Sequence, residues 1–179
     1  MKDMKIKYYD LLALKGIHTE INIAMLKVIM MSLSGYSSVD FYAEPGHSEI
    51  CKNKWKDTSV RFHKLRLIPP IFFGSGGRMA VRDAISCLYV LKAFFTTNRY
   101  DLLMFSLAYP FAQNLIYLLS KLLNRENVYV CLHGEMEVLI DDRPFRSKKY
   151  QNLTKIVLKK KSNIHYIVLG ESIFANLKH

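Results

Sequence analysis

Residues 102–120 read Leu-Leu-Met-Phe-Ser-Leu-Ala-Tyr-Pro-Phe-Ala-Gln-Asn-Leu-Ile-Tyr-Leu-Leu-Ser, nineteen positions without a charge. A run of that length could span a bilayer. Pro110, Gln113 and Asn114 stand in its middle, where hydrocarbon would leave their polar groups unsatisfied. The run therefore parses as a buried strand over Leu102–Ser106, a loop through Pro110 and a helix to about Leu123.

The same alternation extends outward in both directions. Downstream, Asn127–Leu132 reads as a fifth strand, Leu153–Lys161 as a short basic helix, Ile164–Leu169 as a sixth strand and Glu171–Lys178 as the start of a last helix. Upstream, Gly74-Ser75-Gly76-Gly77 leads into a helix from Arg78 to about Thr97, with Val81, Ala84, Ile85, Leu88, Leu91 and Phe95 at helical spacing. Tyr8–Leu14, interrupted by Asp10, suits a first strand, and Ile21–Leu33 a buried helix with Thr19 as N-cap. Val39–Ala43 reads as the second strand, followed by a polar helix or loop to about Lys56. Val60–Ile68 is a third strand whose apolar phase slips, with Arg61, His63, Lys64 and Arg66 interleaved, as befits a sheet edge. Six strands alternating with helices predict a three-layer α/β Rossmann-like domain with a mostly parallel six-stranded sheet in the order 3-2-1-4-5-6.

The chain has 179 residues, half of them hydrophobic, and a net charge of +11. It is too apolar for disorder and long enough to bury a sizeable core. The charge is concentrated. Arg143–Lys161 holds eight basic residues and no acid, and Cys51–Arg66 holds six against Asp57 alone. These segments are either solvated faces or a surface for anionic membrane or nucleic acid, and no helix-turn-helix, zinc-finger or RNP-like pattern supports nucleic acid. Cys51, Cys87 and Cys131 show no CxxC spacing, so neither a disulfide framework nor a zinc site is indicated. The expected location is cytoplasmic, with the inner face of the membrane as a peripheral docking surface.

In such a sheet ligands bind beyond the C-terminal strand ends, where strand order reverses between strands one and four. The loop after strand one, Lys15-Gly16-Ile17-His18-Thr19-Glu20, lacks GxGxxG, and Met79 spoils the later GSGG. A dinucleotide site is therefore disfavoured, as is a Walker-type phosphate site. GSGG before a helix is either an anion cradle or a plain turn. His133 follows the buried strand Val128–Leu132, with Glu135 and Glu137 close behind. A histidine there can donate to a hydroxyl or a phosphate, or only brace its loop. His18 and Glu20 on the neighbouring loop carry the same two readings, while His63 and His165 read as structural. No GxSxG elbow supports serine-hydrolase chemistry.

Leu132-His133-Gly134-Glu135-Met136-Glu137 after a buried strand resembles the HGxxE segment in the N-terminal domain of GT-B glycosyltransferases, family 4 and its bacterial relatives. Tyr100-Asp101-Leu102-Leu103 resembles that family's pDvv strand entry, and Ile164–Leu169 followed by Gly170-Glu171-Ser172 its ivlS strand. The loop bearing Gly16 resembles its acceptor loop, with fewer glycines. The resemblance implies one half of a GT-B fold, residues 1–179 forming the acceptor-side domain without the nucleotide-sugar domain, and inactive alone. The whole enzyme would transfer a sugar from a nucleotide-sugar to a glycan or lipid-linked acceptor, with no metal and no cofactor. It implies His133 as the catalytic residue, with Gly16, His18, Thr19, Glu20, Gly134, Glu135, Glu137 and Ser172 contacting acceptor or donor. An anionic membrane surface and a homodimer through the exposed interdomain face are further expected partners, and nucleic acid is not. The alternative is a stand-alone, non-catalytic Rossmann-like binding module or subunit, peripheral to the membrane.

Overall fold

Lys5 and Lys7 alternate with Ile6 and Tyr8 at the start of the chain, and that period of two makes a strand of what composition alone presents as a basic N-terminus. In the computed structural model, which describes residues 4–11, 19–32, 36–56, 58–66, 75–106, 110–132 and 163–168, strand β1 runs from Met4 to Asp10. The sequence expectation of Tyr8–Leu14 thus starts four residues too late, because the Lys7 ammonium and the Lys5 backbone both find partners. Lys7 Nζ donates to the Thr96 carbonyl at 3.2 Å, and the Lys5 amide donates to Asp101 Oδ1 at 3.0 Å.

The remaining elements follow the predicted alternation. Helix α1 is Thr19–Ser32, β2 Tyr36–Ala43, α2 Pro45–Lys54 and β3 Val60–Lys64. Helix α3 is Ser75–Thr96, β4 Leu102–Ser106, α4 Pro110–Leu122, β5 Val128–Leu132 and β6 Ile164–Val168. The six strands form one sheet, parallel throughout, in the order β3-β2-β1-β4-β5-β6. The expected fold class, α/β and Rossmann-like, is the observed one. The uncharged run at 102–120 splits into β4 and α4, and no helix among the described residues is long and apolar enough to cross a membrane. The GSGG segment is not a loop before a helix over its whole length, since Ser75, Gly76 and Gly77 already belong to α3. The expected helices at 153–161 and 171–178 lie outside the described residues.

Two apolar layers sandwich the sheet. Ile6, Tyr8, Phe41 and Met104 point to one face, where Ile23, Leu26 and Ile29 of α1 and Cys51 of α2 cover them. Tyr9, Leu103, Phe105 and Val130 point to the other, beneath Val90 and Phe94 of α3 and Ile116 and Leu119 of α4. Right-handed crossovers require this division, because the chain moves one way from β1 to β2 and the opposite way from β4 to β5. Burying each large side chain contributes roughly 1.5–3 kcal/mol.

The charged edge strand is explained by its neighbour. Arg61 grips Asp40 of β2 with two nitrogens, Nε to Oδ1 at 2.8 Å and Nη2 to Oδ2 at 3.0 Å. His63 Nε2 lies 3.0 Å from the same Oδ1, and its ring stacks on Tyr42, which stacks in turn on Tyr9.

Helix α4 begins with Pro110, which has no N–H, and the next two amides go to a neighbour. Asp83 of α3, buried, accepts from the Phe111 amide at 3.2 Å and the Ala112 amide at 2.9 Å. A carboxylate at a helix N-terminus satisfies orphan donors and meets the favourable end of the macrodipole. Asp83→Ala is expected to lower unfolding free energy by about 1–3 kcal/mol. Urea unfolding followed by circular dichroism checks this; an unchanged midpoint would show that the carboxylate does not hold the two helices together.

Candidate functional site

The sheet order puts β1 and β4 side by side with Asp10 in register with Ser106, each the last residue of its strand. This is where strand order reverses, the position at which doubly wound sheets bind ligands. Strand parity turns both side chains to the α1–α2 face, together with Tyr8. Helix α1 brings Asn22 over them. Helix α2 brings His47, because Pro45 sets the first turn and the Glu44 carboxylate accepts from the His47 amide at 2.9 Å.

The result is a polar cluster with almost no solvent contact: Tyr8, Asp10, Asn22, His47 and Ser106 are each no more than 2% exposed. The Tyr8 hydroxyl donates to Asn22 Oδ1 at 2.7 Å and lies 2.8 Å from Ser106 Oγ. Its single proton is spent on Asn22, so Ser106 donates to Tyr8. The Asn22 amide nitrogen donates to Asp10 Oδ2 and lies 2.8 Å from His47 Nε2, which is itself 3.2 Å from Asp10 Oδ2. Imidazole and carboxamide thus converge on one carboxylate oxygen. A ring proton on Nε2 turns to Asp10. A ring proton on Nδ1 frees Nε2 to accept from Asn22. Nδ1 has no hydrogen-bond partner among the described residues.

The acid–base character of the surroundings is clear. Burial, then the Asp10 charge, hold the Tyr8 hydroxyl well above its ordinary range, so Tyr8 is a permanent donor rather than a base. Cys51, one turn after His47 with Sγ 3.7 Å from Nε2, is pushed up to about 12, chiefly by burial and next by Asp10. A thiol so protected is not a nucleophile at neutral pH. No group of His, Cys, Asp and Glu among the described residues could hold a metal ion.

Of the residues singled out from the sequence, Thr19 stands buried as the first residue of α1, and Glu20 next to it is exposed and ion-paired with Lys54 of α2. That pair lowers the Glu20 carboxyl. Gly16, His18, His133, Gly134, Glu135, Glu137 and Ser172 lie outside the described residues. Sequence reading missed Asp10, Asn22, His47 and Ser106. Asp10 passed as an interruption in an apolar strand, Asn22 went unremarked in a helix apolar on most faces, and His47 was part of a polar stretch. The available signal was a polar residue at the C-terminal end of both central strands.

No family model and no curated protein matches the chain. Among solved structures, a short-chain dehydrogenase/reductase (wide type) from Veillonella parvula DSM 2008, in complex with NADP, is similar with a TM-score of 0.46 and 11% identity, over 92% of this chain and 67% of that one. The protein resembled there is an NADP-bound reductase and not a GT-B glycosyltransferase. The reading as a glycosyltransferase acceptor domain is therefore withdrawn, and with it sugar transfer from a nucleotide-sugar, while His133 lies outside the described residues. Its physical weakness is plain: alternating strands and helices in this order are common to doubly wound sheets of many activities. A likeness of this size transfers no activity and no cofactor from the reductase either.

The raised thiol and phenol make an alkaline prediction. Unfolded Cys51 ionises near 9.0 and unfolded Tyr8 near 10.0, while both stay protonated in the fold. The unfolded state then binds fewer protons, so stability is full below about pH 9 and falls as pH rises toward 12. Urea midpoints measured between those limits should decline, and less steeply in Cys51→Ala; equal slopes in the two proteins would contradict the burial of that thiol.

Proposed function

We propose that the chain is a Rossmann-like binding module that takes a small polyhydroxylated ligand, a sugar or its phosphate, at the C-terminal ends of β1 and β4, its hydroxyls taking over hydrogen bonds that Asp10, Asn22 and His47 otherwise make with one another. The observation that supports this is the meeting of a carboxylate, a carboxamide, an imidazole and two hydroxyls at the switch point of the sheet. Buried polar groups cost stability unless paired, and an apolar core would serve the architecture as well. Asp10 accepts, Asn22 both donates and accepts, and His47 does either according to its tautomer. That set matches vicinal hydroxyls, which offer and take hydrogen bonds in pairs. The Asp10 charge disfavours a phosphate placed directly on the strand end, so the hydroxyl-bearing part of the ligand belongs there.

Thermal unfolding with glucose, glucose 1-phosphate and NADPH as probes tests the reading. A sugar probe at a hundredfold excess over its Kd should raise Tm by roughly 5–10 °C. His47→Ala should abolish that rise. No shift with either sugar, or a shift with NADPH alone, would overturn the assignment.

A further inference from the structure

Helix α3 covers the sheet with one side and shows solvent an apolar one. Ala84, Leu88, Leu91 and Phe95 recur at helical spacing along that outer side. Helix α4 does the same with Phe111, Leu115, Leu118 and Leu122. Leu91 and Leu115 are half-buried against the core under the two helices, so the stripes flank the α3–α4 seam. The outermost members are wide open: Leu88 is 65% exposed, Phe95 68%, Phe111 51%, Leu118 50% and Leu122 78%. Five large apolar side chains on one helical layer exceed the scattered exposure of an ordinary surface.

Among the described residues of the two helices, the exposed charges on this side have one sign. Between them α3 and α4 carry Arg78, Arg82, Lys92 and Lys121 against a single acid, Asp83. Asp83 is buried and engaged with the start of α4, so it offers no external countercharge. Lys92 falls between Leu88 and Phe95, and Lys121 lies beside Leu122, and both lysines are exposed.

We propose that the outer face of α3 and α4 docks on an anionic lipid surface, with Leu88, Phe95, Phe111, Leu118 and Leu122 entering the headgroup–acyl boundary and Lys92 and Lys121 meeting lipid phosphates. Charge selects this occupant. A second copy seated face to face would set lysine against lysine with no exposed acid among the described residues of either helix, whereas an anionic bilayer supplies the complement together with an apolar phase. The net charge of +11 adds long-range attraction. Asn22 and His47 belong to α1 and α2, which cover the opposite face of the sheet, so the lipid face and the ligand cluster can fail independently.

Co-sedimentation with mixed phosphatidylserine–phosphatidylcholine vesicles and with pure phosphatidylcholine vesicles tests the proposal. The protein should pellet with the mixed vesicles, more weakly as salt rises, and far less with the neutral ones. L88S/F95S should reduce the partition coefficient roughly tenfold or more. L118S/L122S, on the second helix, should do the same, and K92E/K121E should remove the preference for the anionic vesicles. Wild-type circular dichroism spectra qualify each variant as folded. Failure to pellet with the mixed vesicles would overturn the proposal. So would undiminished pelleting of all three variants, which would move the lipid contact elsewhere, or a concentration-dependent dimer of the wild type that L88S/F95S abolishes.

Discussion

The carboxamide of Asn22 ties together three elements of the fold. Through its oxygen it accepts from Tyr8 in β1, and through its nitrogen it reaches Asp10 at the end of that strand and His47 in α2. Tyr8 in turn meets Ser106 at the end of β4. One side chain thus fixes how α1 and α2 sit over the two central strands. None of these groups has water within reach, so each depends on the others for its hydrogen bonds. The constraint is severe: removal of any one member leaves a buried donor or charge unpaired, at a cost larger than the bond itself contributes.

Around that cluster the fold follows from simpler rules. Parallel strands buried on both faces are nearly uniform in apolar content, as the fully buried β4 shows. Three buried charged residues outside the cluster have partners. Asp40 takes Arg61 and His63 at the edge, Asp83 caps α4, and the Arg125 guanidinium donates to the carbonyls of Thr97, Asn98 and Asp101 at the turn into β4 while lying 5.8 Å over the Phe94 ring. The Asp83 and Arg125 contacts hold element ends in place, and the Asp40 pairs hold the edge strand. The switch-point cluster differs because its members meet one another where the chain divides to left and right.

Strand order was readable because it rests on local signals. The charges of β3 marked an edge, and the alternation of strands with helices implied a parallel sheet in that order. The boundary of β1 was misread because Lys5 and Lys7 resemble a basic tail until the Thr96 carbonyl takes the Lys7 ammonium and Asp101 takes the Lys5 backbone amide. The site was not readable for a related reason. Tyr8 and Ser106 are 98 positions apart, and Asn22 and His47 are 25 apart, so their meeting is a product of topology rather than of spacing. The short motif at His133 was conspicuous because its residues are consecutive, and it led to a family that the structural comparison does not support.

The Asp10–Asn22–His47 cluster sets how α1 and α2 meet the strand ends at a position where well-packed apolar residues would give the fold equal stability, so its polarity points to binding. Replacing all three by apolar residues of similar size, D10L/N22L/H47F, separates the two roles in one urea unfolding experiment. The variant should be as stable as the wild type or more so, since replacing buried polar groups by well-packed apolar residues of similar volume is often neutral or stabilising by about 1–4 kcal/mol. A variant that unfolds several kcal/mol more easily, or does not fold, would make the cluster a structural keystone and contradict the claim.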